Sequence, residues 1–264
     1  MKTDRTRPLI IAHRGASDLA PENTLPAFAT AIAQGADGIE LDVQMTRDGA
    51  VVVIHDETVG RTTNGRGRVS DLTLDELRRL DAGSWFNRAY PRRARTEYVG
   101  LRVPTLDEVL AMVRPTPLIL CIELKPQRER ITQMIGATLG AVRKAEMDDR
   151  VVYASFDHEL MKQLKKQAPH AHIALLYDPR RMTAGWSARE IIRPAEEASA
   201  RWVSLHYTLA RPRVIAAVRR AGLGTAIWTV NSKALSRLLT ALGVDALITN
   251  RLERIKKEVV SEDR

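Results

Sequence analysis

Two histidines, three acids and two cations punctuate the ends of short apolar runs in this chain. His13-Arg14 closes the run Leu9-Ile10-Ile11-Ala12, Glu40 and Asp42 alternate with apolar residues, His55 follows Val51-Val52-Val53-Ile54, and Glu123 and Lys125 flank Leu124. Side chains two apart on a strand share a face, so Glu40 and Asp42 point the same way, as do Glu123 and Lys125. Three carboxylates facing an apolar interior cannot stay ionised alone, because an unpaired buried charge costs several kcal/mol or is neutralised by a pKa shift. One divalent cation resolves the conflict, and oxygen-only ligation by Glu40, Asp42 and Glu123 suits Mg²⁺ or Ca²⁺ better than zinc. A structural network in which Arg14 and Lys125 neutralise the acids is the competing reading. His13 and His55 supply a proton acceptor and a proton donor near neutral pH. Either histidine alone would also suit a core position; their joint placement beside the acids favours catalysis. Arg14 offers a planar fork and Lys125 a point charge for a phosphate. Metal, cations and an acid/base pair together describe phosphoryl transfer.

The elements that must hold these residues follow from hydrophobic period. Strand-like apolar runs at 9–13, 38–43, 51–55, 118–124, 151–155, 173–177, 202–205, 225–230 and 246–249 alternate with amphipathic stretches at 24–34, 106–113, 130–144, 159–167, 188–198, 212–221 and 233–241. That alternation predicts parallel βαβ units. The runs 38–43 and 51–55 have no helix between them, only a linker with the hairpin signal Asp48-Gly49. A fold-back about Arg47-Asp48 sets Glu40 opposite His55 and Asp42 opposite Val53. Setting the second hairpin arm aside leaves eight strands, the number that closes an α/β TIM (β/α)8 barrel. An open doubly wound sheet is the alternative, but no glycine-rich dinucleotide fingerprint follows the first strand. Residues 57–103 interrupt the alternation with turn-rich sequence, a short helical piece at 74–80 and Gly83-Ser84-Trp85-Phe86. Long excursions of this kind are usually functional or disordered. The chain therefore reads as one barrel domain over 1–264, with 57–103 a small insertion after the second-strand hairpin, covering the barrel mouth.

Bulk properties exclude several classes. At 264 residues, 44% hydrophobic and 28% charged, the composition is that of a globular protein. No apolar run approaches the ~18 residues that cross a bilayer, and the N-terminal residues do not resemble a signal peptide. The expectation is a cytoplasmic protein without stable membrane insertion. Cys121 is the only cysteine, so no intrachain disulfide or thiolate metal cluster is expected. The net charge of +9, from 41 Lys and Arg against 32 Asp and Glu, favours anionic partners. It comes without a groove-reading motif or interleaved aromatics, so nucleic acid is not expected. The oligomeric state is open, a homo-oligomer included.

The order His13-Arg14-Gly15, Pro21-Glu22-Asn23-Thr24, Glu40-Leu41-Asp42-Val43, Thr46-Arg47-Asp48-Gly49, His55-Asp56, Arg61-Thr62-Thr63-Asn64-Gly65, Glu123-Leu124-Lys125, Ser155-Phe156-Asp157 and Trp228-Thr229-Val230-Asn231 resembles the glycerophosphodiester phosphodiesterase family. The resemblance covers nearly the whole chain and is most specific in its first half. It implies a TIM-barrel hydrolase releasing sn-glycerol 3-phosphate and an alcohol such as choline, ethanolamine or glycerol. Glu40, Asp42 and Glu123 match the family's metal ligands, His13 and His55 its general acid/base pair, and Arg14 and Lys125 its phosphate contacts. Phe156 and Trp228 match an apolar wall against substrate carbons, although Phe156 also suits the core. By similarity the glycerol 2-hydroxyl attacks phosphorus to give a cyclic phosphate, with direct attack by water the other route. Glu22 orders the loop above the first strand, and Asn23 reads as the N-cap of the following helix. Thr249-Asn250-Arg251-Leu252 departs from the family, which more often has Asp there with a Pro nearby. Lysophospholipase D activity is the alternative enzyme reading, favoured if the insertion exposes an apolar channel, but its ten arginines against six acids suggest anionic headgroups rather than acyl chains. A noncatalytic phospho-ligand binder would lack part of the seven-residue set, and all seven are present.

Overall fold

The computed structural model describes residues 7–181 and 187–260. Its strands are β1 (Leu9–His13), β2 (Gly38–Met45), β3 (Val51–Val53), β4 (Ile119–Leu124), β5 (Val151–Ser155), β6 (His172–Tyr177), β7 (Trp202–His206), β8 (Gly224–Trp228) and β9 (Ala246–Thr249). Eight are parallel and pair in the order β1-β9-β8-β7-β6-β5-β4-β2, and β2 returns to β1 to close the barrel. β3 is an antiparallel arm on β2 outside the closed ring. The helices are α1 (Leu25–Ala33), α2 (Leu74–Arg78), α3 (Ser84–Ala89), α4 (Leu106–Val113), α5 (Ile131–Lys144), α6 (His158–Gln167), α7 (Ala188–Glu197), α8 (Pro212–Arg220), α9 (Lys233–Ala241) and α10 (Leu252–Val260). α10 lies beyond the amphipathic stretches read from sequence. Its buried Leu252, Ile255 and Val259 stand among charged residues that blur the period.

Strand alternation divides the core in two. Ile39, Leu41, Val43 and Met45 of β2 pack outward with Phe28 of α1 and Leu110 of α4, while Glu40 and Asp42 take the opposite face. Inside the ring, Leu9, Ile11, Ala246 and Ile248 form one small cluster and Ala154, Ala174, Leu176 and Trp202 another. A Cβ on Gly224 would come within 2.6 Å of the Trp202 indole, so glycine is what lets this ring fill the barrel floor. Apolar packing closes the base, and polar strand ends collect at the other rim, where barrel sites form. Capping boxes Thr105–Glu108 and Ser187–Glu190 start α4 and α7 by satisfying orphan N–H groups.

The hairpin forms with a register one residue away from the expected one. Val43 faces Val53 and Met45 faces Val51, and Ile54 N–H donates to Asp42 O at 3.0 Å; Asp42 is therefore opposite Ile54 rather than Val53. Glu40 is not the ladder partner of His55, because β3 ends at Val53. The cause is the turn. It takes in Gly49, whose φ of 93° makes a three-residue loop and shifts the pairing by one.

Residues 57–103 carry α2, α3 and short 3-10 turns between β3 and α4. Val59, Val69, Leu77 and Val103 pack onto Val52 and Ile54. Phe86 and Tyr98 pack onto Ala20 and Ala27 of the region after β1, where the Tyr98 hydroxyl donates to Leu19 O at 3.0 Å. Among the described residues, no helix is long and apolar enough to cross a membrane.

Candidate active site

Register places the acids. His13 is the Cα partner of Glu40 across β1–β2, and Asp42 is the partner of Glu123 across β2–β4. Glu40, Asp42 and Glu123 are buried, each with a carboxylate oxygen within 4.8 Å of the others'. Lys125 Nζ lies 2.8 Å from Asp42 Oδ1 and 2.5 Å from Glu123 Oε1. Arg14 Nε is 3.3 Å from Asp42 Oδ2, and its Nη1 reaches Glu22 Oε1 at 2.8 Å. The turn after β1 makes this possible. Arg14 has φ 56° and Gly15 φ 80°, and a Cβ on Gly15 would sit 2.7 Å from the Ala27 backbone, so α1 closes tightly on the loop. The Arg14 N–H then donates to Glu40 O at 2.8 Å and is 3.0 Å from Glu40 Oε2.

Three buried acids share two cations, and the imbalance shows in their protonation. Burial, then the charges of Asp42 and Glu123, push Glu40 well above the ordinary carboxylate range. Burial lifts Glu123 to about 7, against the pull of Lys125 and with the push of Asp42. Burial would also raise Asp42, yet Lys125, Arg14 and His55 hold it below the usual range. A divalent cation fits this set: hard oxygen donors, close together, short of positive charge. The competing network, with Arg14 and Lys125 as the sole counterions, leaves two of the acids favouring protonation.

Burial, then the Arg14 charge, lowers His13 to about 4, while its bond to Asn250 opposes the shift. Its Nδ1 is 2.6 Å from Asn250 Oδ1 and its Nε2 is 3.9 Å from Glu40 Oε2. A neutral His13 thus donates from Nδ1 to the amide oxygen and turns a bare Nε2 towards the acids. His55 Nδ1 is 2.5 Å from Asp56 Oδ1. Burial lowers its pKa, with Asp42 opposing and Lys125 adding to the fall. Beyond the end of β3, the Gln44 side chain holds the His55 backbone in place. Its Nε2 donates to Ile54 O and His55 O at 3.2 Å and to Asp56 O at 2.5 Å. His13, Arg14, Glu40, His55, Glu123 and Lys125 line one pocket of about 230 Å³, with Asp42 buried beneath it.

The chain that carries this constellation has relatives of known family. The model of the glycerophosphoryl diester phosphodiesterase family matches residues 13–254. The chain belongs to that family. A glycerophosphodiester phosphodiesterase of Caldanaerobacter subterraneus subsp. tengcongensis is 37% identical over 256 residues, covering 94% of this chain and 96% of that protein. One from Bacillus subtilis is 36% identical over 252 residues, covering 92% and 84%. An Oleispira antarctica phosphodiesterase, solved in complex with the product sn-glycerol-3-phosphate, superposes with a TM-score of 0.86 at 28% identity, covering 96% of this chain and 97% of that one. A glycerophosphodiester phosphodiesterase from Agrobacterium tumefaciens superposes at 0.79 with 32% identity, covering 95% and 99%. The protein is a phosphoric diester hydrolase that cleaves glycerophosphodiesters to glycerol 3-phosphate.

The structure adds to the set read from sequence. Phe156 and Trp228 meet edge to face, centroids 5.7 Å apart, on the lining of the pocket; Phe156 also packs against the interior cluster of Ala154 and Leu176. Asn23 does not cap α1. Thr24 holds the cap position without a side-chain bond, and Asn23 Nδ2 donates to Asp42 Oδ2 at 2.8 Å, because its φ of 56° turns the side chain inward. Glu22 pairs with both Arg14 and Arg61, and Arg61 also grips Asp56, linking the loops after β1 and β3. Pro21-Glu22-Asn23 and Arg61 were visible motifs without an assigned partner. Asn250, seen only as a departure from the family, is the residue that orients His13.

Proposed function

We propose that Glu40, Asp42 and Glu123 hold one divalent cation, Mg²⁺ or Ca²⁺, and that His13 and His55 move protons while Arg14 and Lys125 receive the phosphate. The three buried carboxylates with oxygens within 4.8 Å carry the reading. When bound, the ion supplies Lewis-acid charge for the non-bridging phosphate oxygens. Arg14 and Lys125 are fixed beside Asp42 before substrate arrives, so little reorganisation is required of them. His13, kept neutral by burial, accepts the proton of the attacking hydroxyl, whether the glycerol 2-hydroxyl or water. His55 in its protonated form, which the Asp42 charge and the Asp56 carboxylate on Nδ1 favour against burial, hands its Nε2 proton to the departing alcohol oxygen. Phe156 and Trp228 pack against substrate carbons. Residues 57–103 cover the barrel mouth, an arrangement supported by their packing on the hairpin arm and the loop after β1. A pocket of about 230 Å³ with arginines on its lining suits a small soluble diester rather than the acyl chain of a lysophospholipid.

Stripping the protein with EDTA tests the metal role. Turnover of a glycerophosphodiester is expected to vanish and to return with Mg²⁺ or Ca²⁺. Full activity in verified metal-free protein would exclude this mechanism.

A further inference from the structure

β6 stands across the ring from β1, four strands away in either direction round the barrel. The chain leaving it, Asp178 to Arg181, lines the same pocket as His13 and Glu123. The two sides of the pocket differ in character. Acids and histidines crowd the β1–β2–β4 side, where the phosphate is handled. The β6 side carries two guanidinium groups and one buried carboxylate.

That carboxylate is already committed. Arg180 Nη2 donates to Asp178 Oδ2 at 2.7 Å, its Nε is 3.1 Å from both oxygens, and its backbone N–H donates to Oδ1 at 2.9 Å. One face of the Phe156 ring is committed too. The Arg181 guanidinium carbon lies 4.1 Å from the centroid of Phe156, the position a quaternary ammonium would seek on a ring. An ammonium-bearing alcohol entering here would meet a neutralised acid, a ring already covered by a cation, and an excess of one positive charge. An anionic substituent would meet the Arg181 guanidinium, a planar fork of N–H donors whose charge Asp178 does not offset.

We propose that the β6 end of the pocket selects glycerophosphodiesters whose alcohol carries an anionic group, such as a second phosphate, over those ending in choline or ethanolamine. Arg181 is the specificity-determining residue, with Arg180 neutralising Asp178. The proposal rests on the phosphodiesterase reading of the site and deepens it. Both arginines reach solvent, so the discrimination is modest and sensitive to salt.

The test compares kcat/KM for glycerophosphocholine, glycerophosphoglycerol and a glycerophosphoinositol monophosphate, in Mg²⁺ and in Ca²⁺, at low and at physiological ionic strength. The expected order is anionic, then neutral, then cationic, with a spread of about fivefold or more at low salt that narrows as salt is added. Arg181→Gln should bring the anionic-to-cationic ratio to within about twofold of unity, and Arg181→Lys should keep the order. The proposal is overturned if the choline diester matches or exceeds the anionic one, or if Arg181→Gln leaves the ratio unchanged. Turnover of none of the three would instead overturn the underlying reading of the site, and the proposal with it.

Discussion

Asn250 Oδ1 meets His13 Nδ1 at 2.6 Å, a bond between the residue that follows the last barrel strand and the end of the first. Asn250 is itself fixed, since its backbone N–H donates to Asn231 Oδ1 at 3.0 Å and Ser17 Oγ donates to its Oδ1 at 3.1 Å. An amide oxygen here sets the tautomer of His13 without adding a charge.

Asn250→Ala should therefore lower kcat about tenfold, the worth of one buried hydrogen bond, with little change in KM. Steady-state kinetics beside a thermal melt decide the matter. A fall confined to stability, with kcat intact, would reduce Asn250 to a packing residue.

Asn23→Ala removes the donor that steadies Asp42. Groups that orient a metal-binding carboxylate are typically worth ~10–100-fold in metal affinity. A metal titration of the stripped variant by calorimetry is expected to show weakening in that range. Unchanged affinity would mean that Lys125 and Arg14 alone position Asp42.

Gln44→Leu leaves the carbonyls of Ile54, His55 and Asp56 without their shared donor. The His55 loop should loosen, so kcat is expected to fall about tenfold while metal affinity stays within about twofold. Equal losses in both would instead indicate a general collapse of β2.

Protonation and metal binding should compete. Glu123 titrates near 7 in the metal-free fold, above the ordinary glutamate value, and Glu40 shifts the same way. Between about 4.5 and 7 the folded chain thus holds a proton on Glu123 that the unfolded chain has released, so Glu123 withdraws stability as pH rises through that window, and Glu40 acts in the same direction. Added Mg²⁺ or Ca²⁺ removes the penalty. The rise in Tm on adding either ion should be larger at pH 8 than at pH 6, and equal shifts at the two pH values would contradict the shared site.

Much of this was legible because apolar period and polar strand ends are local signals. The two faces of β2 follow from alternation, the eight-strand count from alternation with the Asp48-Gly49 turn signal, and the grouping of Glu40, Asp42 and Glu123 from alternation with the family resemblance. The hairpin register was not legible, since whether Gly49 belongs to the loop is decided by its left-handed φ rather than by the Asp48-Gly49 signal. His55 still reaches the pocket because Gln44, a polar residue with no motif value, cradles its backbone. Asn23 and Asn250 act through partners 19 and 237 residues away, contacts that no spacing rule reveals.

The central claim is that two histidines beside a carboxylate-bound cation cleave the diester. The most direct measurement is release of sn-glycerol 3-phosphate from glycerophosphoglycerol by metal-loaded wild type, His13→Ala and His55→Ala, each verified as folded. The account predicts steady release by the wild type and loss of at least about 10²-fold in either variant. Near-normal release by a folded His13→Ala or His55→Ala protein would contradict it.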